Sequence, residues 1–206
     1  MGKAKRQFWG LDFETSGTSH ERHVPIQLGI AAPDGSLYSS LIGGWAWADE
    51  MDLGYPVPGE NCWLWDLRAY EVHGIDRERL ETAPDTAQVA ASALDFVEGY
   101  RPEVWHGQRK LVGWNVASFD VPFLRKHFSG LARKLSYQSV DLNAVCFAIS
   151  RAHGISFTEV KARSKEYAAE QMADLFPDEM WHDAGYDALA ALHSFDYLTE
   201  RIKEAY

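Results

Sequence analysis

Short apolar runs bounded by turn residues mark the first forty residues, and a helical period runs through most of the second half. QFWGLDF (7–13), VPIQLGIAA (24–32) and LYSSLI (37–42) are short, apolar and rich in aromatic or branched residues, and Gly, Ser and Thr bound them. They predict three strands. Pro33, Asp34, Gly35 and Ser36 form a turn signal, and the Asp-Gly pair favours a hairpin. Val89, Ala93, Leu94, Phe96 and Val97 predict a helix over 85–100, with Asp85 as its N-cap. LVGWN (111–115) reads as a short buried strand and SVDL (139–142) as another strand candidate. FDVPFLRKHF (119–128) reads as a helix with Pro122 tolerated in its first turn. Further helices are predicted over 142–152, 158–175 and 184–204. Residues 43–70 show no clean helical period. They carry Trp45, Trp47, Trp63 and Trp65 with several Gly and Pro, and read as an irregular insertion with room for an extra hairpin. The sum is an α/β fold, a mixed sheet flanked by helices, in one domain over 1–206.

Composition narrows the class. The 206 residues can bury a substantial core, and 46% hydrophobic with 24% charged residues is ordinary for a soluble globular protein. No apolar run is long enough to cross a bilayer, so no membrane role is expected. Met1 to Arg6 is basic but leads straight into a strand pattern, without a signal-peptide apolar region. Cys62 and Cys146 are too few for a disulfide framework and lack metal-ligand spacing, which points to a reducing, cytoplasmic location. The net charge of −10 argues against a protein that coats nucleic acid electrostatically. It leaves open an enzyme that meets phosphates through cations held by its carboxylates.

Carboxylates recur at places that could aim them inward. Asp12 and Glu14 lie two apart on a strand and share a face; alone, such a pair is usually a solvated edge. Asp120 falls in the first turn of a helix at the carboxyl end of a strand, where α/β sheets commonly place sites, although complementing the helix dipole would also explain it. Ala184, Ala188, Ala191, Phe195 and Leu198 form a helical stripe that Asp187 borders. A carboxylate there is expensive unless it is paired or binds a metal. His182 stands just before that helix, able to project over the same site.

Taken together, DFET at 12–15, NVASFD at 115–120 with FL at 123–124, and HDAGYD at 182–187 resemble the three motifs of the DEDDh 3′–5′ exonucleases, the DnaQ-like proofreading type with a ribonuclease H-like fold. The order is right and the span runs from residue 8 to about 198. VHGI at 72–75 is similar to the family's His-Gly-Ile segment. Asp183 stands where the sister subtype carries Tyr. The resemblance implies a mixed five-stranded sheet of the ribonuclease H-like kind, with Asp12, Glu14, Asp120 and Asp187 as metal-site carboxylates and His182 as general base. It implies that Thr15 and His73 touch the terminal nucleotide. The chain departs from the pattern at Trp114, where many relatives have His; packing near Asp120 is the property this touches.

Two divalent cations about 4 Å apart can activate water on one side of a phosphodiester and stabilise the leaving oxygen on the other. Hard oxygen ligands suit Mg²⁺ or Mn²⁺. An imidazole of ordinary pKa, near 6.5, is mostly neutral at pH 7 and could take the attacking water's proton, so activity is expected to rise from about pH 6 to 8. The expected substrate is single-stranded or frayed DNA, cut from its 3′ end to nucleoside 5′-monophosphates. An RNA-directed exonuclease of the same family is the alternative. A non-catalytic binding module fits less well, since binding alone needs no such carboxylate cluster. The chain shows no polymerase domain, so a proofreading role would need a separate polymerase or repair chain. Arg125, Lys126, His127, Arg133, Lys134, Lys161, Arg163 and Lys165 could form a positive rim or simply solvated helix faces. The four tryptophans of 43–70 could stack on bases or pack in the core.

Overall fold

The computed structural model describes residues 8–48, 62–100, 109–135, 138–178 and 180–204. The three short apolar segments form β1 (Phe8–Thr15), β2 (Pro25–Ala31) and β3 (Leu37–Leu41), an antiparallel meander turning at Pro33–Ser36. Two short strands, β4 (Ala46–Ala48) and β5 (Cys62–Leu64), lie beside two short helices, α1 (Leu67–His73) and α2 (Arg77–Glu81). Then come α3 (Thr86–Gly99), β6 (Lys110–Gly113), α4 (Asp120–His127), α5 (Ser129–Ala132) and β7 (Ser139–Asp141). Three long helices close the chain: α6 (Leu142–His153), α7 (Phe157–Met172) and α8 (Ala184–Glu204). The main sheet has the order β3-β2-β1-β6-β7, with β6 and β7 parallel to β1, which is the mixed five-stranded sheet expected.

Alternation along β1 sorts its side chains between two layers. Trp9, Leu11 and Phe13 join Val89, Ala93, Val97, Phe123 and Phe128 in a core under α3, α4 and α5. The opposite face packs on α8, where Ala188, Leu189 and Leu192 meet Val112, Val160 and Met172. Gly10 and Gly29 make that contact close. A Cβ on Gly10 would fall 1.9 Å from the Ala188 carbonyl oxygen, and one on Gly29 would fall 1.8 Å from that of Ala184. The backbone of α8 therefore rests directly on the sheet, which brings its first turn against β1 and β2.

The segment 43–70 departs from expectation in its described parts; 49–61 lies outside the described residues. The extra strand pair is parallel, Ala46 opposite Cys62 and Ala48 opposite Leu64, and so is not a hairpin. Residues 67–73 are helical, with Asp66 accepting from the Arg68 N–H at 2.9 Å as N-cap. No residue of α1 is fully buried, which is why no apolar period marked it. The tryptophans pack: Trp65 is buried with Val24, Ile26, Ile75 and Leu80, and Trp45, Trp47 and Trp63 lean on that cluster. Cys62 and Cys146 are free thiols. Among the described residues no helix is long and apolar enough to cross a membrane.

Candidate active site

The strand β1 pairs with β6 only from Phe8 to Gly10, because β6 ends at Gly113. Past that point the β6-facing edge of β1 needs another acceptor. Asp120 supplies it: its Oδ1 accepts from the Phe13 N–H at 2.9 Å across 107 residues of sequence. The chain reaches Asp120 through a tight turn in which Asn115 takes a left-handed φ of 59°. Asn115 Oδ1 accepts from Asn143 Nδ2 at 2.8 Å, and Asp141 Oδ1 accepts from both the Asn115 and Asn143 N–H groups. Asp120 is 1% exposed, and its second oxygen, Oδ2, has no hydrogen-bond partner among the described residues.

Asp12 and Glu14 do share the face of β1 turned to α8, as the strand period required. Glu14 is buried, and Asp12 keeps some exposure. Asp187, in the first turn of α8, accepts from the His182 N–H through Oδ2 at 3.0 Å, while its Oδ1 has no partner among the described residues. His182 sits at φ 70°, and its side chain is exposed. One atom each of Glu14, His182 and Asp187 lies within 4.8 Å of the others, a cluster that could hold a metal ion. Asp12 and Asp120 adjoin it electrostatically.

Crowded, buried carboxylates resist ionising. Burial, and then Asp120, Asp187 and Glu14, push Asp12 well above the usual carboxylate range. Burial, and then Asp187 and Asp120, push Glu14 up to about 9. Burial also raises Asp120 and Asp187, against hydrogen bonds from Phe13 and His182 that lower them. Two orphaned buried oxygens in a cluster of hard, reluctantly ionised ligands fit a divalent cation better than they fit solvent-free protein.

The sequence profile of the RNase T exonuclease family matches residues 10–195, a span that contains all five of these motif residues. The chain belongs to this exonuclease family. Its motifs are those of the DEDDh 3′–5′ type. No curated protein matches the chain. Among solved structures the exonuclease is similar to E. coli exonuclease I in complex with a dT13 oligonucleotide, at 16% identity and a TM-score of 0.60, over 96% of this chain and 42% of that one. It is similar also to E. coli exonuclease I with dA16 (18% identity, TM-score 0.60, 96% and 42%) and to the zinc-bound complex with single-stranded DNA (17%, 0.55, 96% and 40%). The chain thus spans about two fifths of the length of those proteins, and the likeness is one of ribonuclease H-like fold.

The remaining expected residues of the exonuclease fall nearby. Thr15 is buried, its hydroxyl donating to the Gly17 carbonyl at 2.8 Å. His73 ends α1 with Nδ1 accepting from the Ile75 N–H at 2.9 Å, so a neutral ring carries its proton on the buried Nε2, and the Thr15 backbone is the group that favours the protonated ring. Edge contacts with Trp65 and Tyr70 hold the ring, and burial, followed by His182, pushes it down to about 4. Trp114 is half-buried in the α6–α8 core, under the ammonium groups of Lys161 and Lys165.

Part of the expected basic rim is engaged locally. Lys126 donates to the His20 and Glu21 carbonyls, Lys134 pairs with Glu98, and Arg163 pairs with Glu159. Lys165 instead faces Asp187 and Asp12. Two residues went unremarked as site residues. Gln27 on β2 donates to Asp183 Oδ2 at 2.7 Å and accepts from the Ala184 N–H at 3.3 Å, while Asp183 Oδ1 accepts from the Tyr186 N–H. This clamp fixes the chain just after His182. A buried amide on a strand that is otherwise wholly apolar was the available sign.

Proposed function

We propose that this exonuclease hydrolyses single-stranded or frayed DNA from the 3′ end, releasing nucleoside 5′-monophosphates, with two divalent ions, Mg²⁺ or Mn²⁺. The observation that carries this reading is the convergence of Asp12, Glu14, Asp120, Asp187 and His182 from three distant segments, with an unpartnered oxygen left on Asp120 and another on Asp187. The four carboxylates are the residues to hold the ions. When bound, the ions supply Lewis-acid stabilisation of charge on the phosphate. His182 acts as general base: its exposed imidazole takes the attacking water's proton and returns it to solvent, while its N–H bond to Asp187 ties the base to the carboxylate cluster. Thr15 and His73 border the terminal nucleotide in this reading. DNA is preferred to RNA in this reading because the E. coli relatives hold DNA oligonucleotides. A separate polymerase or repair chain as partner, and a cytoplasmic location, are proposed on the sequence argument alone.

The test is a gel of 5′-labelled single-stranded DNA and RNA of matched sequence, with Mg²⁺, Mn²⁺ or EDTA. The expected result is a metal-dependent ladder shortening from the 3′ end, stronger on DNA and absent in Asp187→Ala. His182→Ala should keep Mn²⁺ affinity and lose about 10²- to 10⁴-fold in turnover. Shortening that survives EDTA or Asp187→Ala would overturn the reading, and an unimpaired His182→Ala would remove the base.

A further inference from the structure

The proposed mechanism leaves one cation beside the carboxylates without a task. Lys165 lies on α7, one turn beyond Lys161, and its ammonium is 3.9 Å from the centroid of the Trp181 ring and 5.9 Å from that of Trp114. Lys161 stands 4.8 Å from the Trp114 centroid and donates to Asn143 Oδ1 at 3.2 Å. An indole face attracts an ammonium through its quadrupole but leaves the three N–H donors of the lysine unsatisfied. Lys161 has an acceptor. Lys165, half-buried, has no hydrogen-bond or ion-pair partner among the described residues.

The surroundings say what the missing acceptor is. Trp114 directly follows β6 on the way to Asp120, and Trp181 immediately precedes His182, so the two rings hold Lys165 at the margin of the site. Its charge bears on Asp187 and Asp12, yet neither carboxylate comes within ion-pair distance. A lysine acting only as counter-ion would close onto them. This one is held back by aromatic contacts that direct the group without using its donors. The anion that must approach Asp12 and Asp187 during the proposed reaction is a phosphate, and lysine binds phosphate as a point charge.

We propose that Lys165, seated on Trp114 and Trp181, is a phosphate-binding residue of this site. Its ammonium donates to a non-bridging oxygen of the terminal phosphodiester or of the nucleoside 5′-monophosphate that leaves. The ligand's identity rests on the reaction proposed above. Trp114, where the family resemblance leads one to expect His, thereby gains a role as one side of the seat.

The test is calorimetric binding to the full chain with Ca²⁺ present, which reads affinity without turnover. The probes are 5′-dTMP and a short oligothymidylate whose last linkage is either an ordinary diester or an uncharged methylphosphonate. Lys165→Gln should weaken 5′-dTMP by about tenfold, the scale of one charge-assisted hydrogen bond, and Lys165→Arg should retain most of the affinity. If the diester is the ligand, Lys165→Gln also shrinks the difference between the two linkages; if only the product is bound, that difference persists while 5′-dTMP weakens. Unchanged affinity for every probe, with tighter Mn²⁺ binding in Lys165→Gln, would make Lys165 a counter-ion and overturn the inference. Should Lys165→Gln not fold, Lys165→Met keeps the stem on both indoles and takes its place. A wild-type chain that binds 5′-dTMP through Lys165 but shortens no strand would instead sink the proposed function.

Discussion

His182 occupies the left-handed backbone region, which a residue with a Cβ enters only when its surroundings impose it. The surroundings here are the Asp187 carboxylate on its own N–H and the Gln27–Asp183 clamp on the next residue. We expect Gln27→Leu to lower kcat by about 10- to 100-fold, the usual effect of losing an orienting partner, with KM nearly unchanged. Steady-state kinetics on an oligonucleotide would check this; a lower melting temperature with unchanged kcat would leave the clamp a purely structural role. The five motif residues were legible because together, in order and spacing, they resemble the exonuclease motifs; singly, each also fits an ordinary structural role. Gln27 and Asp183 were not, because their contact joins positions 156 apart and each is unremarkable in its own segment. Lys165 was visible as a positive charge, but its separation from the rest of the basic rim depends on which residues fold against it.

At the scale of elements, the site depends on how closely α8 lies on the sheet. Gly29 is opposite Asp12 in the β1–β2 register, and the α8 backbone occupies the space its Cβ would need. Gly29→Ala should therefore lift the start of α8, costing about 1–3 kcal/mol as overpacking and displacing His182 and Asp187 from Glu14. Thermal unfolding would show the loss of stability, and a larger proportional loss in Mn²⁺ affinity would show the displacement. If stability falls while metal affinity holds, the helix has shifted without carrying the ligands. The meander and the long helices were readable because each has one buried face. Asp85 caps α3 with a reciprocal bond from Gln88, and Pro122 sits in the first turn of α4, both as local chemistry predicted. The helix α1 buries no residue fully, and the parallel β4–β5 pairing is set by long-range packing around Trp65, so neither left a periodic trace.

For the whole molecule, the carboxylate cluster links metal, pH and stability with a definite sign. Glu14 rises from about 4.5 to about 9 on folding without metal, and burial raises Asp12, Asp120 and Asp187 in the same direction. The folded chain then holds more protons than the unfolded chain, so the stability gained from those protons is complete below about pH 4.5 and is lost as pH climbs toward 9. In EDTA the melting temperature should fall between pH 6 and 9. A divalent ion replaces those protons and binds the folded state, and it has fewer protons to displace as pH rises, so the stabilisation by Mn²⁺ should grow over the same range. Glu14→Gln separates the two effects. It should flatten the pH dependence in EDTA and raise stability at pH 8 by about 1 kcal/mol, as relief of a strained functional site commonly does, while forfeiting most of the stabilisation by Mn²⁺. Scanning calorimetry of both proteins at pH 6, 7.5 and 9, with EDTA and with Mn²⁺, measures every term. A variant whose EDTA profile keeps the wild-type slope would show that Glu14 is ionised in the metal-free protein, and that the cluster relieves its charge by some route other than holding protons.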